Sequence, residues 1–199
     1  MRNLLLPVAA IVLAGAVQAQ TPPAPVRGTL TEIAADSITI AKADSTTVKL
    51  GLIQPWMVSV MKPIGIEAIQ PGSFIGTTEM PQEDGTGRSL EVHVFPPGVK
   101  VGEGHYAWDL QEGSMMTNGT VGEVTESADG RTITVSYPEG TRTIEVPAGI
   151  PIVEITNGTP DQLKVGIPVF VIAFPAPDGS GNLMTGGIAI GVDGAAPPM

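Results

Sequence analysis

The sequence predicts an all-β protein, two small barrels in tandem that arose by internal duplication, following a cleaved signal peptide. Three observations carry this expectation. Its 199 residues include 25 Gly and 19 Pro, about 22% together, and these fall between β-branched runs rather than in one block, as the turns of short strands do. A set of short motifs recurs in the same order at an offset of about 91 to 96 residues, which marks a repeated structural unit. The first 19 residues have the layout of an export signal.

The elements follow in order. Residues 1–19 (MRNLLLPVAAIVLAGAVQA) place Arg2 before an apolar core at 4–17 and end in Val17, Gln18 and Ala19, so cleavage is expected after Ala19. The core is short for a membrane span and Pro7 interrupts it. Residues 20–25 (QTPPAP) form a Pro-rich lead expected to extend without packing. The first barrel is expected over 26–95, a linker over 96–117, the second barrel over 118–193, and a mobile tail, GAAPPM, over 194–199.

Within the repeat, RGTLTEI at 27–33 returns as NGTVGEV at 118–124, and SITI at 37–40 as TITV at 132–135. TVKL at 47–50 returns as TIEV at 143–146, AIQPGSF at 68–74 loosely as QLKVGIPVF at 162–170, and DGTG at 84–87 as DGSG at 178–181. LEVHV at 90–94 is echoed less faithfully by GGIAI at 186–190. Period-two alternation in these segments reads as strands. Ala43-Asp44-Ser45, Ala128-Asp129-Gly130 and Pro138-Glu139-Gly140 read as turns between them. Gly28 and Gly119 sit in the first strand of each unit, where a small barrel has to bend. A helical turn is expected at 66–69 and again at 160–163, each followed by a strand, at 73–78 and 169–174. Five or six short strands with one helical turn per unit describe a partly open barrel of the OB type, in which about 70 residues curl to hide strand edges.

The pattern V-x-G-T-[LV]-x-E-[IV], then T-[IV]-x-[VL], L-x-x-G and a DG turn resembles the small OB-like domains of unknown function in exported proteobacterial proteins. With the EVHVFP, GEGHYAWDL and MMTNGTV segments between the copies, the chain from Val26 to Met199 is similar to an uncharacterised alphaproteobacterial periplasmic family. What the resemblance implies is binding of small or cationic ligands, with no shared reaction; fold analogy does not fix function.

Composition excludes several classes. The net charge is −10, becoming −11 once Arg2 leaves with the signal, which argues against nucleic-acid binding because that needs basic stripes. Absence of Cys removes disulfides, thiolate metal sites and Cys nucleophiles. After 1–19 no stretch approaches the ~20 apolar residues of a membrane helix, so the mature protein is expected to be soluble, periplasmic and not inserted in a membrane. There is no P-loop, no G-x-G-x-x-G and no nucleophile elbow around a His105/Asp109/Ser114 set. Acids such as Glu32, Glu123, Glu145, Asp84 and Asp178 read as solvated strand-face or turn charges rather than catalytic pairs. The chain is expected not to be an enzyme.

The unrepeated segment 96–117 (PPGVKVGEGHYAWDLQEGSMMT) gathers unusual side chains, and loops are where function is carried. One reading is a metal site for Cu, Zn or Ni. Its ligands would be His93, His105, Asp109 and Glu103, with Met115 and Met116 as soft donors. Another is packing, in which Tyr106 and Trp108 plug the junction of two barrels and the methionines fill gaps. A third is a site for some other ligand. The expected role is therefore a periplasmic binding or adaptor protein, its partner a basic protein, a cationic small molecule or a metal ion, with metal delivery through His93 and His105 as the alternative.

Overall fold

The computed structural model describes residues 23–199; the expected signal peptide and residues 20–22 of the lead lie outside them. Twelve strands follow one another: β1 (Ala24–Ile33), β2 (Ser37–Ala41), β3 (Thr47–Pro63), β4 (Phe74–Pro81), β5 (Gly87–Val94), β6 (Gly104–Ala107), β7 (Met115–Ser127), β8 (Gly130–Tyr137), β9 (Gly140–Pro147), β10 (Ile152–Asn157), β11 (Pro168–Pro175) and β12 (Leu183–Gly191). Two single 3-10 turns, Ile66–Ala68 and Pro160–Gln162, precede β4 and β11. The expected helical turns and the strands after them thus fall where the repeat put them. No helix among the described residues is long and apolar enough to cross a membrane.

Strand pairing closes two rings. The first barrel runs β1-β2-β3-β12-β11 and back to β1, with β3 and β12 parallel and the other pairs antiparallel. The second runs β7-β8-β9-β5-β4 and back to β7, with β5 and β9 parallel. β10 ties the rings together, antiparallel to β3 and parallel to β5.

This pairing corrects the expected division at 26–95 and 118–193. Each barrel takes three strands from one half of the chain and a two-stranded hairpin from the other. β11–β12 completes β1–β3, and β4–β5 completes β7–β9. The crossing point is the end of β3. Its seventeen residues pair with β12 of the first ring as far as Met61, and the chain then passes to β4 of the other ring. The lead and tail are also corrected. Ala24 and Pro25 already pair with Ala173 and Ile172. Met199 is buried, and its main-chain oxygen accepts a 2.6 Å bond from Arg27 Nε.

Three apolar clusters follow. Leu30, Ile38, Ile40, Leu50, Val169, Val171 and Ile188 fill the first barrel. Ile75, Val92, Val121, Ile133, Val135 and Ile144 fill the second. Each such side chain contributes about 1.5–3 kcal/mol by leaving water. Met61, Met116, Val153, Phe170, Ala189 and Met199 form a third cluster, drawn from both rings, and Trp108 packs against it. Gly28 and Gly119 occupy equivalent places, opposite Val169 and Ile75. A Cβ on either would collide with the main-chain oxygen of the neighbouring strand, Ala41 or Ser136. Close approach of two backbones, at the point where the first strand bends round the ring, is what requires glycine.

Candidate functional site

Matched registers let the two barrels be compared position by position, and their linings differ. On the core side of the first, Val26 faces Val171, with Ala173 beside them and Val48 across from Ile40. The second barrel puts Thr117 opposite Thr77 in the same places, with Glu79 beside them and Arg142 across from Val135. Ser89 adds a 2.7 Å bond to Thr77 Oγ1, which also donates to the Glu91 main-chain oxygen at 2.6 Å.

Glu79 is fully buried. Arg142 Nε donates to its Oε1, while the remaining guanidinium nitrogens donate to the main-chain oxygens of Gly85 and Thr86, each at 3.2 Å. Glu79 Oε2 has no hydrogen-bond partner among the described residues and lies so close to Gly87 that a side chain there would strike it. Burial raises the Glu79 carboxyl above its ordinary value, against the pull of Arg142. His105, on β6, closes the end of this lining. Its Nδ1 lies 2.8 Å from Thr117 Oγ1 and 3.9 Å from Glu79 Oε1, and its ring stacks on Tyr137 at 6.1 Å. Burial and then the Arg142 charge lower the His105 imidazole below its ordinary value.

The outer face of the same strands holds a second polar group. Glu91 Oε1 accepts from the Thr78 main-chain N–H at 2.7 Å and from its hydroxyl at 2.8 Å, and Glu91 Oε2 lies 3.0 Å from His93 Nδ1. Both side chains are buried, and the His93 ring meets Phe95 edge-on at 5.2 Å. Asn118 Nδ2 donates to the Gly102 main-chain oxygen and to the Tyr106 hydroxyl, both at 3.0 Å. Burial raises the Tyr106 phenol above its ordinary value.

These positions decide the fate of the six candidate ligands. His93 pairs with Gly76 and His105 with Thr117, on adjacent rungs of one sheet, so the two imidazoles project from opposite faces. Met115 and Met116 are likewise divided by strand alternation, and Met116 sits in the central apolar cluster. Asp109 is spent on Arg27 at 2.7 Å, and Glu103 lies 4.0 Å from Lys100. Among the described residues no group of three or more His, Asp or Glu side chains could hold a metal ion. The joint metal site is therefore withdrawn, because one sheet separates its donors. Trp108 meets Phe170 in a tilted arrangement at 6.4 Å and lies under Arg27, while Tyr106 contacts it edge-on at 6.2 Å and stays partly exposed.

Open space lies elsewhere. A cleft of about 520 Å³ opens on the first barrel between the β1–β2 turn and the β11–β12 hairpin, lined by Asp36, Ser37, Lys49, Asp178 and Asn182. The second barrel has a smaller cleft, about 240 Å³, at the matching place, where Arg88, Asp129, Arg131 and Glu145 stand. Its arginines are engaged, Arg88 with Glu145 at 3.1 Å and Arg131 with Glu126 at 2.6 Å. A further opening of about 580 Å³ is mainly apolar and is walled by residues 194–198 of the chain itself.

Sequence reasoning missed Glu79, Arg142 and the pairing role of Glu91. Alternation was the available signal: Glu79 shares parity with Ile75 and Thr77, and Glu91 with His93. The chain matches no protein-family model, no curated protein and no solved structure.

Proposed function

We propose that the chain is a non-enzymatic, exported binding or adaptor module made of two OB-like units that arose by duplication. The carrying observation is the 520 Å³ cleft on the first barrel. The five-strand order with one parallel closure, and a helical turn before the fourth strand, supports the OB-like reading, and in such barrels the loop-framed face is the ligand seat. Asp36 and Asp178 set the cleft's chemistry. Hydrogen bonds from Ser180 hold the Asp178 carboxyl below its ordinary value, so it stays ionised. Two carboxylates around one lysine, on a chain of net charge −10, favour a cationic small molecule or a basic peptide segment. The signal-like residues 1–19 and the resemblance to exported proteobacterial proteins support a periplasmic setting.

Calorimetric titration of the chain from Gln20 onward with tetralysine tests this reading. Binding is expected to weaken as salt rises, and Asp36→Asn with Asp178→Asn to weaken it by about tenfold. Affinity indifferent to both substitutions would overturn the assignment of the cleft.

A further inference from the structure

The parallel seams that close the two rings are built differently. In the first barrel β12 follows β3 through eight register pairs, from Leu183 opposite Leu50 to Gly191 opposite Met61, with one irregularity. In the second barrel only Gly87 opposite Ile144 and Arg88 opposite Glu145 join β5 to β9. The strand then breaks across residues 148–151, and β5 resumes pairing with β10 at Ile152. A two-rung parallel ladder is a weak closure by itself.

Side chains supply the rest of that closure, and they come from opposite halves of the chain. Arg142, on β9, spends its guanidinium on the β4–β5 hairpin alone: Glu79 on β4, and the Gly85 and Thr86 oxygens at the hairpin tip. Arg88 of the hairpin reaches back to Glu145. In the first barrel Val48 and Ala173 stand in the places of Arg142 and Glu79 and merely pack. The lining behind the second seam is also the more polar one, with Thr77 and Thr117 in the places of Val171 and Val26, although Ser89 has a counterpart in the first barrel's buried Thr185. An apolar interior resists wetting, whereas hydroxyl groups tolerate water when a seam parts.

We propose that the β5–β9 seam is a gate: the exchanged β4–β5 hairpin swings off β9 as a unit, with Arg142 as its latch, while the β3–β12 seam stays shut. Such local opening is drawn from elements with few ladder bonds and leaves the rest of the fold closed.

Hydrogen–deuterium exchange on the chain from Gln20 onward tests it, using the first barrel as internal reference. In the unsubstituted protein, amides at 87–89 and 144–145 are expected to exchange at least about tenfold faster than those at 183–185 and 50–52. Arg142→Val should speed exchange in the hairpin and β9 further and leave β3 and β12 unchanged. Adding Glu79→Ala, which copies the first barrel's apolar pair, should slow it back to the original rate or below. Equal rates at the two seams of the unsubstituted protein would overturn the gate. So would Arg142→Val speeding both barrels together, or a double variant as open as the single one. If Arg142→Val fails to fold, the comparison of seams and the double variant still decide.

Discussion

The two barrels share strand order, glycine placement, helical turns and an apolar core, yet one end of the lining is apolar in the first and charged in the second. Where the first has Val48, Ala173, Val171 and Val26, the second has Arg142, Glu79, Thr77 and Thr117. One backbone plan thus tolerates two kinds of lining. The plan depends on strand length, turn positions and close backbone approach; the lining sets how firmly each ring is shut. A buried ion pair is weak support for stability, since desolvation offsets most of its attraction. In the second barrel that pair also leaves Glu79 Oε2 without a hydrogen-bond partner among the described residues.

The largest expected effect breaks this difference. Arg142→Val leaves the Glu79 carboxylate buried without a counter-charge and should cost about 3–5 kcal/mol in urea denaturation. Glu79→Ala in the same chain should recover most of that loss, because the second lining then matches the first. Should the double variant be no better than the single one, the pair is more than a costly substitute for packing.

A smaller effect sharpens what the barrels share. Gly28→Ala and Gly119→Ala each drive a methyl into a neighbouring main-chain oxygen and should each destabilise by about 1–3 kcal/mol. The two costs should be similar; a loss at one site alone would show that only that strand crossing is tight.

The smallest effect is pH-dependent, with two groups acting in opposite directions. The folded His105 value is lowered, so its contribution is held above the ordinary imidazole value and lost as pH falls through the folded one. The folded Glu79 value is raised, so its contribution is present below the ordinary carboxyl value and lost as pH rises through the folded one. The urea midpoint of the unsubstituted protein should therefore include a fall, as pH drops below the ordinary imidazole value and through the lowered folded one, that His105→Gln removes. An unchanged pH profile in that variant would mean β6 carries no proton-linked stability.

Much of this was legible beforehand. Period-two alternation and the Gly/Pro punctuation located the strands of the repeated motifs, and those motifs located both helical turns within a residue or two; β6 and the start of β7, inside the expected linker over 96–117, β10 and the run of β3 to Pro63 were not located. Gly28 and Gly119 were found from their place in the repeat alone. The candidate site was less legible. His93, His105 and the methionine pair attracted attention as rare donors close in sequence, but one-rung alternation sends neighbours to opposite faces of the sheet. Glu79 and Arg142, 63 residues apart in sequence, meet only because a hairpin from one half completes the barrel of the other.

The sequence by itself determined the all-β character, the positions of the repeated strands and turns and the strong negative charge, because all three are local or additive properties of residues. Only the tertiary structure decided which strands close which barrel, that residues 194–199 pack, and that a charged pair occupies one lining and not the other. Those depend on non-local pairing, on where the chain passes from one ring to the other after β3, and on which side chains the exchanged hairpins then bring face to face.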